Sequence, residues 1–328
     1  MTTRRLTRRQ RLARTAAVAA ALLASVVVAV SLLGGTSAPL IPPTQHVSAS
    51  LAAHRASASP GAGAGAGTAL DAAMFADGSC VAFAPTSGNR HLTVFLDAGH
   101  GGPDPGGQGV TLRGTTIDEA QLTLPVVLDA TALLRAQGFR VVDSRTTASS
   151  VVRLRASDLA GSVFSLSGLH RDVAARAVCA NLAGAKALVS VHFNVGASAA
   201  NAGTQTTYDA VRPFAAASLA LATAVHTAVV AALRAVPSWH VPDDGVVTDN
   251  QVGNSLTAQG AAYGHLLLLG PASAGFFATP STMPGTLTEP LFLTDPFEGT
   301  VAAGAQGQHV IAAAIARAVT AFLVPAGH

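Results

Sequence analysis

From about residue 80 onward, apolar and polar positions alternate between strand-like and helix-like stretches. Leu92-Thr-Val-Phe-Leu96 is a short, nearly continuous apolar run, as expected of a strand covered on both faces. Further on, Val126, Val127, Ala130, Leu133 and Leu134 recur at helical spacing. Thr123 is placed to cap that helix, Pro125 suits its first turn and Gly138 its end. Residues 139–142 predict the next strand, and a helix is expected around 169–183. Strands follow at 187–191 and 204–208, then a long alanine-rich helix at 214–235. Residues 266–269 and 286–289 read as short strands, and 310–322 as a closing amphipathic helix. Residues 146–168 are rich in Ser and Ala without a clear period and predict an insertion or surface loop. Strands alternating with helices imply one α/β domain. Its central, largely parallel twisted sheet should have about six strands flanked by helices.

The first 79 residues follow another rule. Six arginines between positions 4 and 14 precede an apolar stretch from Ala16 to Leu33, and small residues Gly34-Gly-Thr-Ser-Ala38 follow. A basic start, an apolar run and a small-residue exit are the pattern of an export signal. The run, about 18 residues long, also reaches the length of a spanning helix, so an uncleaved membrane anchor is the alternative for residues 1–38. Residues 39–79 are dominated by Ala, Ser, Pro and Gly and read as a flexible linker. The folded domain is then expected at 80–328.

Charge sharpens this division. The chain has 328 residues, 49% hydrophobic and 11% charged, with a formal net charge of +3. Setting aside the six N-terminal arginines leaves 14 Lys and Arg against 17 Asp and Glu, a net of −3. No basic stripe remains to argue for nucleic acid, and contact with a membrane is expected only through the N-terminal segment. The two cysteines, Cys80 and Cys179, suggest a disulfide in an exported chain.

The chemistry sits at the ends of apolar runs. His100 lies in Asp97-Ala-Gly-His-Gly-Gly, four residues after the first strand, where ligands collect in α/β sheets. Asp97 and Asp104 are near enough in sequence to orient its imidazole. His192 and Asn194 follow the strand at 187–191. Only three glutamates occur, Glu119, Glu289 and Glu298. Glu119 precedes a helix, with Asp118 beside it as an alternative ligand, and Glu289 ends an apolar strand. A carboxylate in so apolar a run needs a charged or polar partner. Two imidazoles and two carboxylates are the set a hydrolytic zinc site uses: three ligands, an open position for water and a general base.

Several stretches together resemble a known family. They are Leu-Asp97-Ala-Gly-His-Gly-Gly-Pro-Asp-Pro-Gly106, Glu119 with Leu122 and Leu124, Arg176 with Ala180-Asn181, Ser190-Val-His-Phe-Asn194, and Met283-Pro followed by Glu289-Pro290. The chain is similar over residues 92–322 to zinc-dependent N-acetylmuramoyl-L-alanine amidases of bacterial cell-wall hydrolysis. The resemblance implies one Zn²⁺ held by His100, Glu119 and His192, with Glu289 catalytic and peptidoglycan or its muropeptide fragments as substrate. It favours Glu119 over Asp118, because Leu122 and Leu124 then fall on the family's apolar positions. Asp97, Asp104 and Asn194 are the expected supporting or substrate-binding residues. Leu291, Val195-Gly196 and the long 146–168 stretch depart from the family pattern and bear on the shape of the groove. An inactive or autoinhibited peptidoglycan-binding form, with loops 146–168 or 246–264 as covers, and another zinc peptidase are the alternative readings.

Overall fold

A computed structural model describes residues 67–251 and 256–325. The expected export signal and most of the linker lie outside the described residues. In chain order the elements are β1 (Thr68–Ala69), β2 (Ser79–Phe83), β3 (Thr93–Ala98), β4 (Gln108–Val110), β5 (Thr116–Asp118), α1 (Glu119–Ala136) and β6 (Arg140–Arg145). There follow β7 (Leu159–Ala160), β8 (Val163–Phe164), α2 (Leu166–Leu182), β9 (Ala187–Val191), β10 (Thr204–Tyr208) and α3 (Ala215–Arg234). The remainder are β11 (Asp243–Thr248), α4 (Ala258–Tyr263), β12 (Gly285–Glu289), α5 (Pro296–Ala303) and α6 (Ala305–Leu323).

The main sheet has the order β1-β2-β6-β3-β9-β12-β10-β11. Its centre is parallel: β3 pairs in parallel with β6 and with β9, and β12 with β9. β2 and β10 pair antiparallel to their inner neighbours, and β11 is parallel to β10. Five of the six expected strands are present as β3, β6, β9, β10 and β12, and β1, β2 and β11 are added to them, of which β1 and β11 were not legible as strands. β1 is two residues long, and β11 reads Asp-Asp-Gly-Val-Val-Thr, with too few apolar positions to announce itself.

Both faces of the central strands are buried, which explains their unbroken apolar sequences. Val94, Leu96, Ala187, Val189 and Val141 face one core, shared with α1, α3 and α6. Phe95, Leu188 and Val142 face the other, shared with α2 and the segment before β12. α3 is long and apolar enough to cross a membrane by composition. Here Leu221, Val225, Val229 and Leu233 bury its inner face in the first core.

Four expectations change. The folded part begins before residue 80, since β1 pairs with β2 and Phe75 is fully buried. α1 starts at Glu119, so Thr123 lies inside it and its hydroxyl donates to Gly99 O at 2.9 Å. Residues 266–269 form a turn, with the Leu269 and Gly270 amides donating to Leu266 O. Four leucines in a row carry no period, and Gly264 and Gly270 bracket them. The 146–168 stretch is packed as well as looped: Val151 and Val152 are buried, and both their amides donate to Asp172 Oδ1.

Cys80 and Cys179 form a disulfide that ties β2 to α2 across 99 positions of sequence. Closing a loop of that length restricts the unfolded chain and contributes about 4.7 kcal/mol in the chain-entropy account. Replacing both cysteines by alanine is expected to lower the unfolding free energy by about 3–5 kcal/mol, read by denaturant titration. A loss below about 1 kcal/mol would show that loop closure is not what the bridge contributes.

Candidate active site

β3, β9 and β12 are neighbours and run in one direction, so their carboxyl ends open on one edge of the sheet. That edge is where a parallel sheet presents ligands. His100 follows β3, His192 follows β9 and Glu289 ends β12. The His192 amide donates to Thr288 O at 3.0 Å, which places Glu289 beside it. α1 begins next to this edge and delivers Glu119 in its first turn.

The side chains converge closely. Glu119 Oε2 is 3.0 Å from His100 Nε2, and Glu119 Oε1 is 2.9 Å from His192 Nδ1. The two imidazole nitrogens face each other at 3.1 Å. Glu119 is held by backbone donors too, from Gly107 to Oε2 at 2.8 Å and from Phe193 to Oε1 at 2.9 Å. The far nitrogen of His100 meets Asp104 Oδ2 at 2.8 Å.

Local backbone makes this approach possible. His100 itself has φ of +60°, in the left-handed region that few non-glycine residues adopt. A Cβ on Gly99 would stand 2.5 Å from the His192 ring, and one on Gly106 would stand 2.7 Å from the His100 ring. Glycine is therefore required at both positions by contact, not only by flexibility.

Charge within the cluster is strongly biased. Burial opposes a charged His100, but the Glu119 and Asp104 carboxylates overcome it and hold its pKa well above the usual imidazole value. Burial likewise opposes an ionised Glu119, and the two histidines hold its pKa far below the usual carboxylate range. Glu289 behaves oppositely. Burial first, then the like charge of Glu119, push it up to about 8. Two carboxylates whose pKa values are pushed apart in this way suit different tasks, one as a fixed anion and the other as a group that can carry a proton.

The donors fit a metal ion. His100, Glu119 and His192 each offer one ligand atom, all within 4.8 Å of one another. Two ring nitrogens pointed at one another cannot both accept without a hydrogen or a cation between them. A carboxylate behind a ligating imidazole, as Asp104 stands behind His100, fixes its tautomer.

The other anticipated residues lie elsewhere. Asp118 bonds the amides of Gln108 and Gln121 and is not in the cluster. Asp97 does not orient the imidazole. It points to the α2 side of the sheet, accepting from Arg176 Nη1 and Ser190 Oγ at 2.6 Å each. Asn194 is buried, and its Oδ1 accepts from the Val195 amide in the loop after β9. Arg145 was not anticipated. Fully buried, it donates to the carbonyls of Ala98, Gly99, Ala120 and Thr147 and to the Thr123 hydroxyl. The signal for it was Asp143-Ser-Arg145, three polar residues that are nonetheless the end of a buried strand.

Fold and cluster together define an α/β domain of hydrolase type with a candidate metal centre at the carboxyl ends of its central strands. The family model for N-acetylmuramoyl-L-alanine amidase, Amidase_3, matches residues 94–321, and the chain belongs to that family. It is therefore a peptidoglycan amidase. Among solved structures it is similar to the N-acetylmuramoyl-L-alanine amidase from Clostridium difficile 630, with 26% identity and a TM-score of 0.50, covering 74% of this chain and 100% of that one. It is similar in fold to the CwlD amidase of Clostridioides difficile, solved in complex with the GerS lipoprotein (20% identity, TM-score 0.53, 71% and 98% covered). The amidase Ami1 from Mycobacterium smegmatis shares the fold as well (20% identity, TM-score 0.50, 72% and 99% covered). No curated protein matches the chain.

A proton-coupled titration follows from these charges. With its pKa raised, metal-free His100 carries a proton at pH 7, and it must lose that proton to ligate. Zinc added to the metal-free protein at pH 7 is expected to release protons, and its apparent affinity to fall as pH drops. Calorimetry in two buffers of different ionisation enthalpy reads this directly. Heats independent of buffer would contradict the assignment.

Proposed function

We propose that this chain is an exported zinc enzyme that hydrolyses the amide bond between N-acetylmuramic acid and the L-alanine of the peptidoglycan stem peptide. The observation that carries the reading is the convergence of His100 Nε2, His192 Nδ1 and the two oxygens of Glu119, with Asp104 behind His100 and Glu289 beside them. His100, Glu119 and His192 would hold zinc. When bound there, zinc supplies Lewis acidity toward the scissile carbonyl and makes water nucleophilic near neutral pH.

The protein's own groups do the rest. Glu289 takes the proton from the water that attacks the lactyl carbonyl carbon. The carbon–nitrogen bond then breaks, and Glu289 returns the proton to the departing L-alanine nitrogen. The products are a free lactyl carboxylate and an intact stem peptide with a free amino end. Asp104 keeps the His100 ring in the tautomer whose Nε2 faces the cluster. The raised pKa of Glu289 suits a group that must both accept and give up a proton, and a cation nearby would draw it down toward neutrality.

Residues 1–38 would deliver the enzyme to the cell envelope, as a cleaved signal or a retained anchor. Residues 39–66 would act as the tether between that segment and the folded domain.

Glu289→Gln separates binding from chemistry. The variant is expected to keep its zinc and its fold while kcat falls by about 10²–10⁴, the span general acid–base catalysis supplies. His192→Gln is expected to lose zinc at this cluster and activity together. Near-normal turnover by Glu289→Gln would remove Glu289 from the mechanism.

A further inference from the structure

The far edge of the sheet carries a second convergence of metal-ligating side chains. β10 and β11 run parallel, with Tyr208 opposite Thr248. The residues that follow them, Asp209 and Asp249, therefore leave the sheet side by side. His265, just beyond α4, closes the group. Its Nδ1 lies 2.9 Å from Asp209 Oδ2, 3.3 Å from Asp249 Oδ2 and 3.4 Å from Asp249 Oδ1. One ligand atom from each residue falls within 4.8 Å of the other two. Asp209 and Asp249 are 1% and 3% exposed.

Hydrogen bonds do not account for this arrangement. Asp209 Oδ1 accepts from the Val211 and Arg212 amides, and Asp249 Oδ2 from the Leu266 amide. Asp209 Oδ2 is buried and accepts no hydrogen bond, although it points into the group beside His265. An imidazole nitrogen bears at most one hydrogen, whereas three carboxylate oxygens crowd this one. Arg212 is the neighbouring cation. Its guanidinium donates to the carbonyls of Leu269, Gly270 and Ser281, so it offsets charge without bonding the carboxylates. Leaving such oxygens bare is costly.

We propose that Asp209, Asp249 and His265 form a second divalent-metal site, which fastens the chain after α4 to the ends of β10 and β11. One imidazole with two carboxylates suits a first-row transition ion such as Zn²⁺ or Mn²⁺ better than Mg²⁺ or Ca²⁺, which prefer oxygen alone. The site is separate from the catalytic cluster. β10 is antiparallel to β12, with Gln205 opposite Glu289. Asp209 therefore lies about 13 Å along β10 from the level of Glu289, at about 3.3 Å per residue. A cation there takes no part in the hydrolysis. It would hold the segment that carries Leu268, Leu269, Phe277 and Met283 into the second core.

The test counts metal. The full-length protein is loaded with Zn²⁺, passed through a desalting column, and its zinc per chain measured by inductively coupled plasma mass spectrometry. The wild-type protein is expected to hold two, and His265→Gln one with a lower Tm in zinc. His192→Gln is also expected to hold one, while losing activity. Should His265→Gln fail to fold, Asp249→Asn carries the same expectation. A wild-type protein with one zinc that His192→Gln loses would overturn the second site and leave the catalytic reading standing. Two zinc ions that persist in both His265→Gln and Asp249→Asn would overturn it as well. One zinc lost only in His265→Gln would support this site and sink the catalytic one.

Discussion

Two guanidinium groups buried beneath the His100 turn hold the edge of the sheet that carries the candidate site in shape. Arg176 reaches from α2 to Asp97 Oδ1, the carbonyls of Ala98 and His100, and Asp172 Oδ2. Arg145 reaches from β6 to the carbonyls of Ala98 and Gly99 on one side and of Ala120 in α1 on the other. Between them they satisfy the carbonyls of Ala98, Gly99 and His100, where β3 gives way to a glycine-rich turn. Burial and the like charge of Arg176 lower the pKa of Arg145 to about 10. Charges so placed are tolerable only when fully paired, and Asp97 and Asp172 complete the pairing. Removing either arginine would leave buried carbonyls or carboxylates without donors, at the turn where His100 sits at positive φ.

The sheet does the coarse positioning. Three adjacent parallel strands end together, so residues 100, 192 and 289, far apart in sequence, reach one edge of the sheet without any long loop. α1 supplies Glu119 from the same edge. Its first backbone amides, of Glu119 and Ala120, donate to Gly107 O and Pro105 O and dock the helix start onto the loop that follows β3. Asp172 links the outer stretch to this frame, accepting from Val151 and Val152 while it holds Arg176. The residues expected to form a loose insertion are thus part of the support for the site.

What could be read from sequence alone was what periodicity and local chemistry encode. β9 and β10 match their expected bounds because each is a compact run between polar turns. His100, Glu119, His192 and Glu289 stood out because each is a rare polar group beside an apolar run. Long-range partnership was not legible. Asp97 sits three residues from His100, yet strand alternation turns it to the opposite face, toward Arg176. Arg145 gave only the faint sign of an arginine ending a buried strand. α5 was missed although Asp295-Pro296 signals a helix start, with Asp295 Oδ1 accepting from the Phe297 and Glu298 amides. β11 failed for a different reason: a sheet edge tolerates polar residues, so its pattern carries little period. The second cluster at Asp209, Asp249 and His265 joins three separate elements, and no spacing along the chain foretells it.

The proposed reaction is hydrolysis of the muramoyl–L-alanine amide at the His100, Glu119 and His192 cluster. Its most direct test is mass spectrometry of purified muropeptides incubated with the protein, with zinc and with a chelator. Free stem peptide beginning at L-alanine is expected, together with the sugar fragment bearing a free lactyl carboxylate, both lost on chelation. Intact muropeptides from folded, zinc-loaded protein, or fragments cut within the stem peptide, would contradict it.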